Sequence, residues 1–377
     1  MPEPTLSRRT FLAAAGLSIA TLACGINTIV TTGTPVPTPP RTSPFFDGPY
    51  QTNTLILGED VTTVLPQPLS QREFPTIPSK VLAAVYYPYF AGIDHRVPTT
   101  DPFSPNVGHM PLGPFPLLLY AHGFRETPLT DHSTPPFNRD FTSAEVMLRR
   151  VASYGCVALA PDLSWMPDSP SPQEAWDRRA TVLVAYYQYL ISTLNFVLFE
   201  NQVDLSHVVL VGHSRGGGGA THAGRRLRAM SSPPRSLSYG LIAPEYGGDT
   251  GSDIQDLLVV GGSLDDTLNS GAEPDTAYME AGTPKTWVTI PGANHFGYTS
   301  LCPPNNSCET VHLVDVNGTI SRAAQQLTAG SYLAALVRYY ALGDATALPY
   351  LNGKQIVEGL ETLGVQGIRV QQQGLPT

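Results

Sequence analysis

Residues Val208 to Gly224 read VVLVGHSRGGGGATHAG: an apolar run enters Gly212-His213-Ser214-Arg215-Gly216 and continues through Gly217, Gly218 and Gly219. Glycine in a helix interior costs roughly 1 kcal/mol against alanine. A chain that opens a helical stretch with four of them therefore has a geometric use for them. G-x-S-x-G between a strand and a helix marks a turn so tight that the residues two before and two after the serine must be small. Gly212 and Gly216 meet that need. The strain presents the Ser214 oxygen at the carboxyl edge of a sheet, where open α/β sheets bind ligands. Gly217 to Gly219 are not required by the motif. They either let the helix pack closely on the sheet or keep the floor of a site open.

The surrounding chain fits this reading. KVLAAVYYPY (Lys80 to Tyr89), FPLLLYAHG (Phe115 to Gly123), GCVALAPD, HVVLVGHS, YGLIAPEY (Tyr239 to Tyr246), DLLVVGGS (Asp256 to Ser263) and KTWVTIPG (Lys285 to Gly292) read as strands. Several are near-continuous apolar runs, as central strands covered on both faces require. TSAEVMLRRVASY, with Thr142 or Ser143 as N-cap, QEAWDRRATVLVAYYQYLISTLN and LTAGSYLAALVRYYAL read as helices between them. Alternating strands and helices give an α/β class: a doubly wound, mostly parallel sheet of about eight strands with helices on both faces. The tail GIRVQQQGLPT adds an edge strand at most.

A serine hydroxyl needs a base, and the base needs an orienting acid. In this architecture the chain order is Ser, then Asp or Glu, then His. Asp265 ends VVGGSLD just past one strand, and His295 sits in IPGANHFG just past the next. Both therefore fall on the sheet edge that carries Ser214. Glu245 in IAPEY and Asp266 beside Asp265 are the competing acids, and His312 the competing base. His213 reads as a packing residue on the turn, and His122 as structural. Two N–H donors are needed for the oxyanion. One is the backbone N–H of Arg215. The other comes from the loop after FPLLLYAHGF, where Gly123 permits close approach and Phe124 is the expected donor. Trp165 and Met166, past another strand at the same edge, either shape an apolar substrate pocket or pack beneath a loop.

Together FPLLLYAHGF, LRRVASYGCVALAPDL, HVVLVGHSRGG, VVGGSLDD and GANHF resemble the α/β-hydrolase superfamily, over roughly Lys80 to Leu342. The nearer branch is the one holding chlorophyllases, platelet-activating-factor acetylhydrolases and cutinase-like polyester hydrolases. Gly-His-Ser-Arg-Gly-Gly is similar to the chlorophyllase elbow, whereas cutinase-like enzymes usually carry methionine where Arg215 stands. The resemblance implies a serine esterase: carboxylic ester hydrolysis through an acyl-enzyme, without a cofactor, on a small-molecule or polymeric ester. A lipase or polyester hydrolase, and an acyltransferase built on the same triad, stay open. A non-catalytic binding lipoprotein would be marked by loss of a triad member, and none is missing.

The remaining sequence bears on location and partners. Charged residues make up 14% of the 377, with a net charge of −9. With no long basic stretch, nucleic acid is not an expected partner. Residues 1–24 read as a signal peptide: Ser7-Arg8-Arg9-Thr10-Phe11-Leu12 looks like a twin-arginine export signal, and the apolar run to Cys24 is too short to span a bilayer. Cys24 resembles the lipidated cysteine of bacterial lipoproteins, although Thr21 stands where a larger aliphatic residue is usual. Residues 25–44 form a Pro/Thr-rich spacer, and 45–377 a single catalytic domain. The expected product is extracytoplasmic, touching a membrane only through lipid on Cys24, or else secreted. Cys302 and Cys308, six positions apart in an exported chain, are expected to form a disulfide, and Cys156 to be a buried small hydrophobe. No zinc signature occurs. Asp249, Asp253 and Asp256 could hold calcium, though a solvated turn is the better reading, so no metal site is expected.

Overall fold

A computed structural model describes residues 43–58, 81–89, 110–111, 113–123, 140–166, 171–195, 198–199, 201–245, 250–265, 272–300 and 318–376. Nine strands form one sheet: β1 (Gln51–Leu57), β2 (Ala83–Tyr89), β3 (Phe115–Ala121), β4 (Val157–Pro161), β5 (Val203–His213), β6 (Ser236–Ile242), β7 (Leu257–Gly262), β8 (Lys285–Ile290) and β9 (Arg369–Gln373). Their order across the sheet is β1-β2-β4-β3-β5-β6-β7-β8-β9. From β4 to β8 every neighbour is parallel, while β2 and β9 run antiparallel to the strands they flank. Every expected strand is present. β1 is additional; its polar first half hid it, because pairing with β2 rather than burial defines that half.

Among the described residues the five α-helices of nine residues or more are α1 (Glu145–Ser153), α2 (Pro172–Tyr189), α3 (Arg215–Arg228), α4 (Ala272–Glu280) and α5 (Arg322–Leu336). Strand residues alternate between two cores, as the two-residue period of a strand demands. Leu117, Leu119, Val208 and Leu210 join Ala180, Leu183, Ala223 and Leu227 of α2 and α3. Leu118, Tyr120, Val209 and Val211 join Met147, Val151, Tyr332 and Leu336 of α1 and α5. The winding is therefore double. The expected cap of α1 is not made: Ala144 holds the N-cap position with no side-chain bond, and Thr142 belongs to a short 3-10 turn at Asp140–Thr142.

Among the described residues no helix is long and apolar enough to cross a membrane. Residues 1–42, with Cys24 and the export signal, lie outside the described residues, as do Cys302 and Cys308. Cys156 is a buried free thiol whose Sγ donates to the Pro116 carbonyl at 3.2 Å.

Candidate active site

Parallel strands aligned in one direction bring their carboxyl ends together, and the loops there carry the chemistry. Ser214 follows β5, Asp265 follows β7 and His295 follows β8. Gly123 and Leu163 follow β3 and β4 at the same edge.

Ser214 has φ 53° and ψ −127°. For a residue with a side chain this is sparsely populated backbone, costing of order 1–3 kcal/mol, and it persists only where neighbours enforce it. The neighbours are backbone. A Cβ on Gly212 would run into the Gly216 carbonyl, and one on Gly216 into the Ala121 carbonyl. Ser214 N–H donates to the Ile242 carbonyl at 3.1 Å, and its own carbonyl accepts from Gly217 N–H at 2.8 Å, opening α3. The other glycines permit close packing, but against α2 and the residues after β6 rather than against the sheet as expected: a Cβ on Gly217 would lie 2.8 Å from Pro244 Cβ. A Cβ on Gly218 would lie 2.5 Å from the Trp176 ring, and one on Gly219 2.6 Å from Cβ of Arg179. They let α2 lie directly on the helix that follows the serine.

His295 and Asp265 side chains are each 1% exposed, and His295 Nδ1 lies 3.0 Å from Asp265 Oδ2. A carboxylate oxygen only accepts, so Nδ1 carries a hydrogen, and it is the neutral form of the ring that has its lone pair on Nε2. The competing acid is engaged elsewhere: Glu245 Oε2 accepts from Arg215 Nε at 2.6 Å. Asp266 and His312 lie outside the described residues.

The loop bearing His295 is held by side chains that the sequence did not single out for this role. Gln325 of α5 reads both backbone groups of Asn294, accepting from its N–H at 3.1 Å and donating to its carbonyl. Asn294 Oδ1 accepts from Gly297 N–H at 2.8 Å. His213, buried, donates from Nε2 to the His295 carbonyl at 3.0 Å. Burial, reinforced by the neighbouring His295, pushes the His213 ring down to about 3, so it is neutral at physiological pH. Its Nδ1 has no hydrogen-bond partner among the described residues. His213 thus does more than pack: it ties the Ser214 turn to the His295 loop.

On the β3 side, a Cβ on Gly123 would lie 2.9 Å from Ser214 Cβ, so this loop passes directly beside the serine. His122 is buried. Its Nε2 accepts from Leu163 N–H at 2.9 Å, leaving Nδ1 to donate to the Gly123 carbonyl at 3.2 Å. Phe124 lies outside the described residues. Trp165 and Met166 are core residues, 1% and 7% exposed, and the Trp165 indole donates to the Asp162 carbonyl at 2.7 Å. No metal-holding cluster occurs among the described residues, and Asp253 is paired with Arg225 at 2.9 Å.

The chlorophyllase family matches residues 104–228, a span that contains β3, Gly123 and the Ser214 turn and stops before Asp265 and His295. Cutinase est1 of Thermobifida alba is 27% identical over 186 residues, 48% of this chain and 56% of that protein. Cutinase 2 of Thermobifida cellulosilytica is 26% identical over 166 residues, covering 43% of this chain and 58% of its own length. Cutinase cut1 of Thermobifida fusca is 26% identical over 166 residues, 43% and 48% respectively. The matches span about half the length of these relatives. The chain thus has the α/β-hydrolase fold, and the proteins it resembles are chlorophyllases and the Thermobifida cutinases.

Proposed function

We propose that the protein is a serine hydrolase that cleaves carboxylic esters through an acyl-enzyme. The observation that carries this is the buried His295–Asp265 pair, 3.0 Å apart, at the same sheet edge as a serine held at φ 53°. Ser214 Oγ attacks the ester carbonyl carbon while His295 Nε2 takes the hydroxyl proton. Asp265 keeps the imidazole in the right tautomer and stabilises its charged form. The tetrahedral oxyanion is held by backbone N–H groups, those of Arg215 and Phe124 in our assignment, each donor being worth roughly 3–4 kcal/mol in the transition state. The C–O bond to the alcohol breaks, and the alcohol leaves with the proton from His295. Water, deprotonated by the same nitrogen, then cleaves the acyl-serine. No cofactor enters any step.

The resemblance to proteins named cutinases favours an ester presented by a polymer or a lipid-like chain over a small polar ester. An extracytoplasmic location, with lipid on Cys24 or release into the medium, fits such a substrate and follows from the twin arginines and the Pro/Thr-rich spacer.

A chain-length series of p-nitrophenyl esters, then lipid and polyester substrates, tests the reading. Ser214→Ala and His295→Ala should each lose several orders of magnitude in turnover, with little further loss when combined. Asp265→Asn should cost about 10⁴-fold by favouring the wrong tautomer. Glu245→Gln should lose far less turnover than Asp265→Asn, because Glu245 is engaged with Arg215 rather than with His295. Full activity in Ser214→Ala would refute the assignment. A dead Glu245→Gln beside a normal Asp265→Asn would move only the acid. Transfer of the acyl group to an added alcohol in preference to water would make the enzyme an acyltransferase.

A further inference from the structure

We propose that Arg179 is a positioning residue for the oxyanion loop, acting on that loop from behind; the proposal rests on the ester-hydrolysing reading above. Arg178 and Arg179 are neighbours on α2 with opposite fates. Arg178 points outward to Glu174 at 2.5 Å, one helical turn back. Arg179 is 6% exposed and reaches inward. Its Nη1 donates to the Ala175 carbonyl at 3.1 Å, which braces the guanidinium against its own helix. Nε donates to the His122 carbonyl at 3.3 Å and Nη2 to the Gly123 carbonyl at 3.0 Å. His122 Nδ1 adds a second donor to the same Gly123 oxygen at 3.2 Å. Two consecutive carbonyls of the loop beside Ser214 are thereby fixed on the Arg179 side.

An ordinary peptide carries its N–H opposite its C=O. Because the Gly123 carbonyl and the N–H of the following residue share one rigid peptide, a shift of that carbonyl would move this N–H with it. This is the amide assigned to the oxyanion. A charged donor on the carbonyl also polarises the amide and strengthens its N–H as a donor, an effect enlarged where water is excluded. Taking a guanidinium out of water costs several kcal/mol, so its bonds must recover that in a fixed geometry. The fixed geometry exists because residue 219 is glycine: any side chain there would strike Arg179 Cβ. The last glycine of the run thus acts on the oxyanion loop through α2.

The test compares wild type with Arg179→Ala, Arg179→Gln and Arg179→Lys on p-nitrophenyl esters, with thermal melts on each. Added guanidinium chloride at non-denaturing concentration is the rescue arm. Arg179→Ala and Arg179→Gln should lose about 10- to 100-fold in kcat with KM little changed, because one oxyanion donor is worth about 10²–10³-fold and here it is displaced rather than removed. Guanidinium should restore at least about fivefold to Arg179→Ala and nothing to wild type. Arg179→Lys, which keeps the charge but not the fork of donors, should fall between. A folded Arg179→Ala with wild-type kcat, or a loss that guanidinium leaves untouched, would overturn the proposal. If Arg179→Ala does not fold, Arg179→Lys decides it: an unchanged kcat there, or a change wholly in KM, overturns it. Wild-type protein lacking Ser214-dependent hydrolysis would overturn both this proposal and the functional reading. Wild-type activity with indifferent Arg179 variants would overturn this one alone.

Discussion

The turn carrying Ser214 and the loop carrying His295 lie at the same sheet edge and are held in opposite ways. The serine turn is fixed by what is missing: Gly212 and Gly216 allow backbone to meet backbone where any Cβ would collide. The histidine loop is fixed by what is present: Gln325 reads Asn294, Asn294 reads Gly297, and His213 reads the His295 carbonyl. A residue in strained backbone needs hard contacts that cannot relax. On the proposed mechanism His295 passes a proton between serine and leaving group, and it would do so from a loop held by directional hydrogen bonds. The two kinds of restraint fail differently: steric ones abruptly, polar ones by degrees.

The largest effect should come from adding one methyl to the steric side. Gly216→Ala drives Cβ into the Ala121 carbonyl, a clash between main chains that no rotamer relieves. Overpacking costs about 1–3 kcal/mol, so a melt should fall by roughly 1–4 °C for a domain of this size. Activity should drop at least about 100-fold as the serine shifts. Wild-type melting and turnover would show that the turn has slack.

On the polar side, Gln325→Leu leaves two backbone groups of Asn294 without their partner, each costing about 1–3 kcal/mol. The expected loss in kcat is about tenfold, with KM nearly constant. Gln325→Glu, which keeps an acceptor but no donor, should lie between. If Gln325→Leu matched Gly216→Ala in its loss of kcat, the distinction between the two restraints would collapse.

The smallest effect is a slope. The His213 ring titrates near 6.5 when unfolded and near 3 when folded, because burial and His295 disfavour its charge. The unfolded chain therefore binds the extra proton first. The stability this residue contributes is present above about pH 6.5 and is lost as pH falls towards 3, at about 1 kcal/mol per pH unit. His213→Gln should flatten the acid limb of a stability profile between pH 4 and 7 measured by denaturant titration. An acid limb as steep as that of wild type would remove His213 from the account.

How much of this the sequence shows depends on range. The strands and the Ser214 turn rest on local rules, near-continuous apolar runs and small residues at fixed offsets, and so they are legible. Ser214, Asp265 and His295 follow from chain order at strand ends. β1 escapes because half of QTNTLIL is polar and only its partner strand reveals it. Trp165 fits either reading that the sequence offers, because an indole past a strand end is equally at home beside a ligand or in a core; it is 1% exposed. Gln325, His213 and Arg179 act across long sequence separations. Nothing local distinguishes Arg179, which reaches the Gly123 carbonyl, from Arg178, which does not.

The four glycines also bear on how the molecule assembles. Against alanine, Gly216 to Gly219 lower the intrinsic helicity of the first turn of α3 by about 4 kcal/mol in total. Helix nucleation is already unfavourable in an isolated segment. On propensity alone this turn is a poor place for the helix to start. The favoured start is its later half, from Ala220 to Arg228, with the turn at Ser214 formed as β5 and α2 close around it. If so, substitutions in this turn should change the rate of unfolding far more than the rate of folding, a folding-kinetics measurement that would put Ser214 among the last parts of the chain to take their final shape.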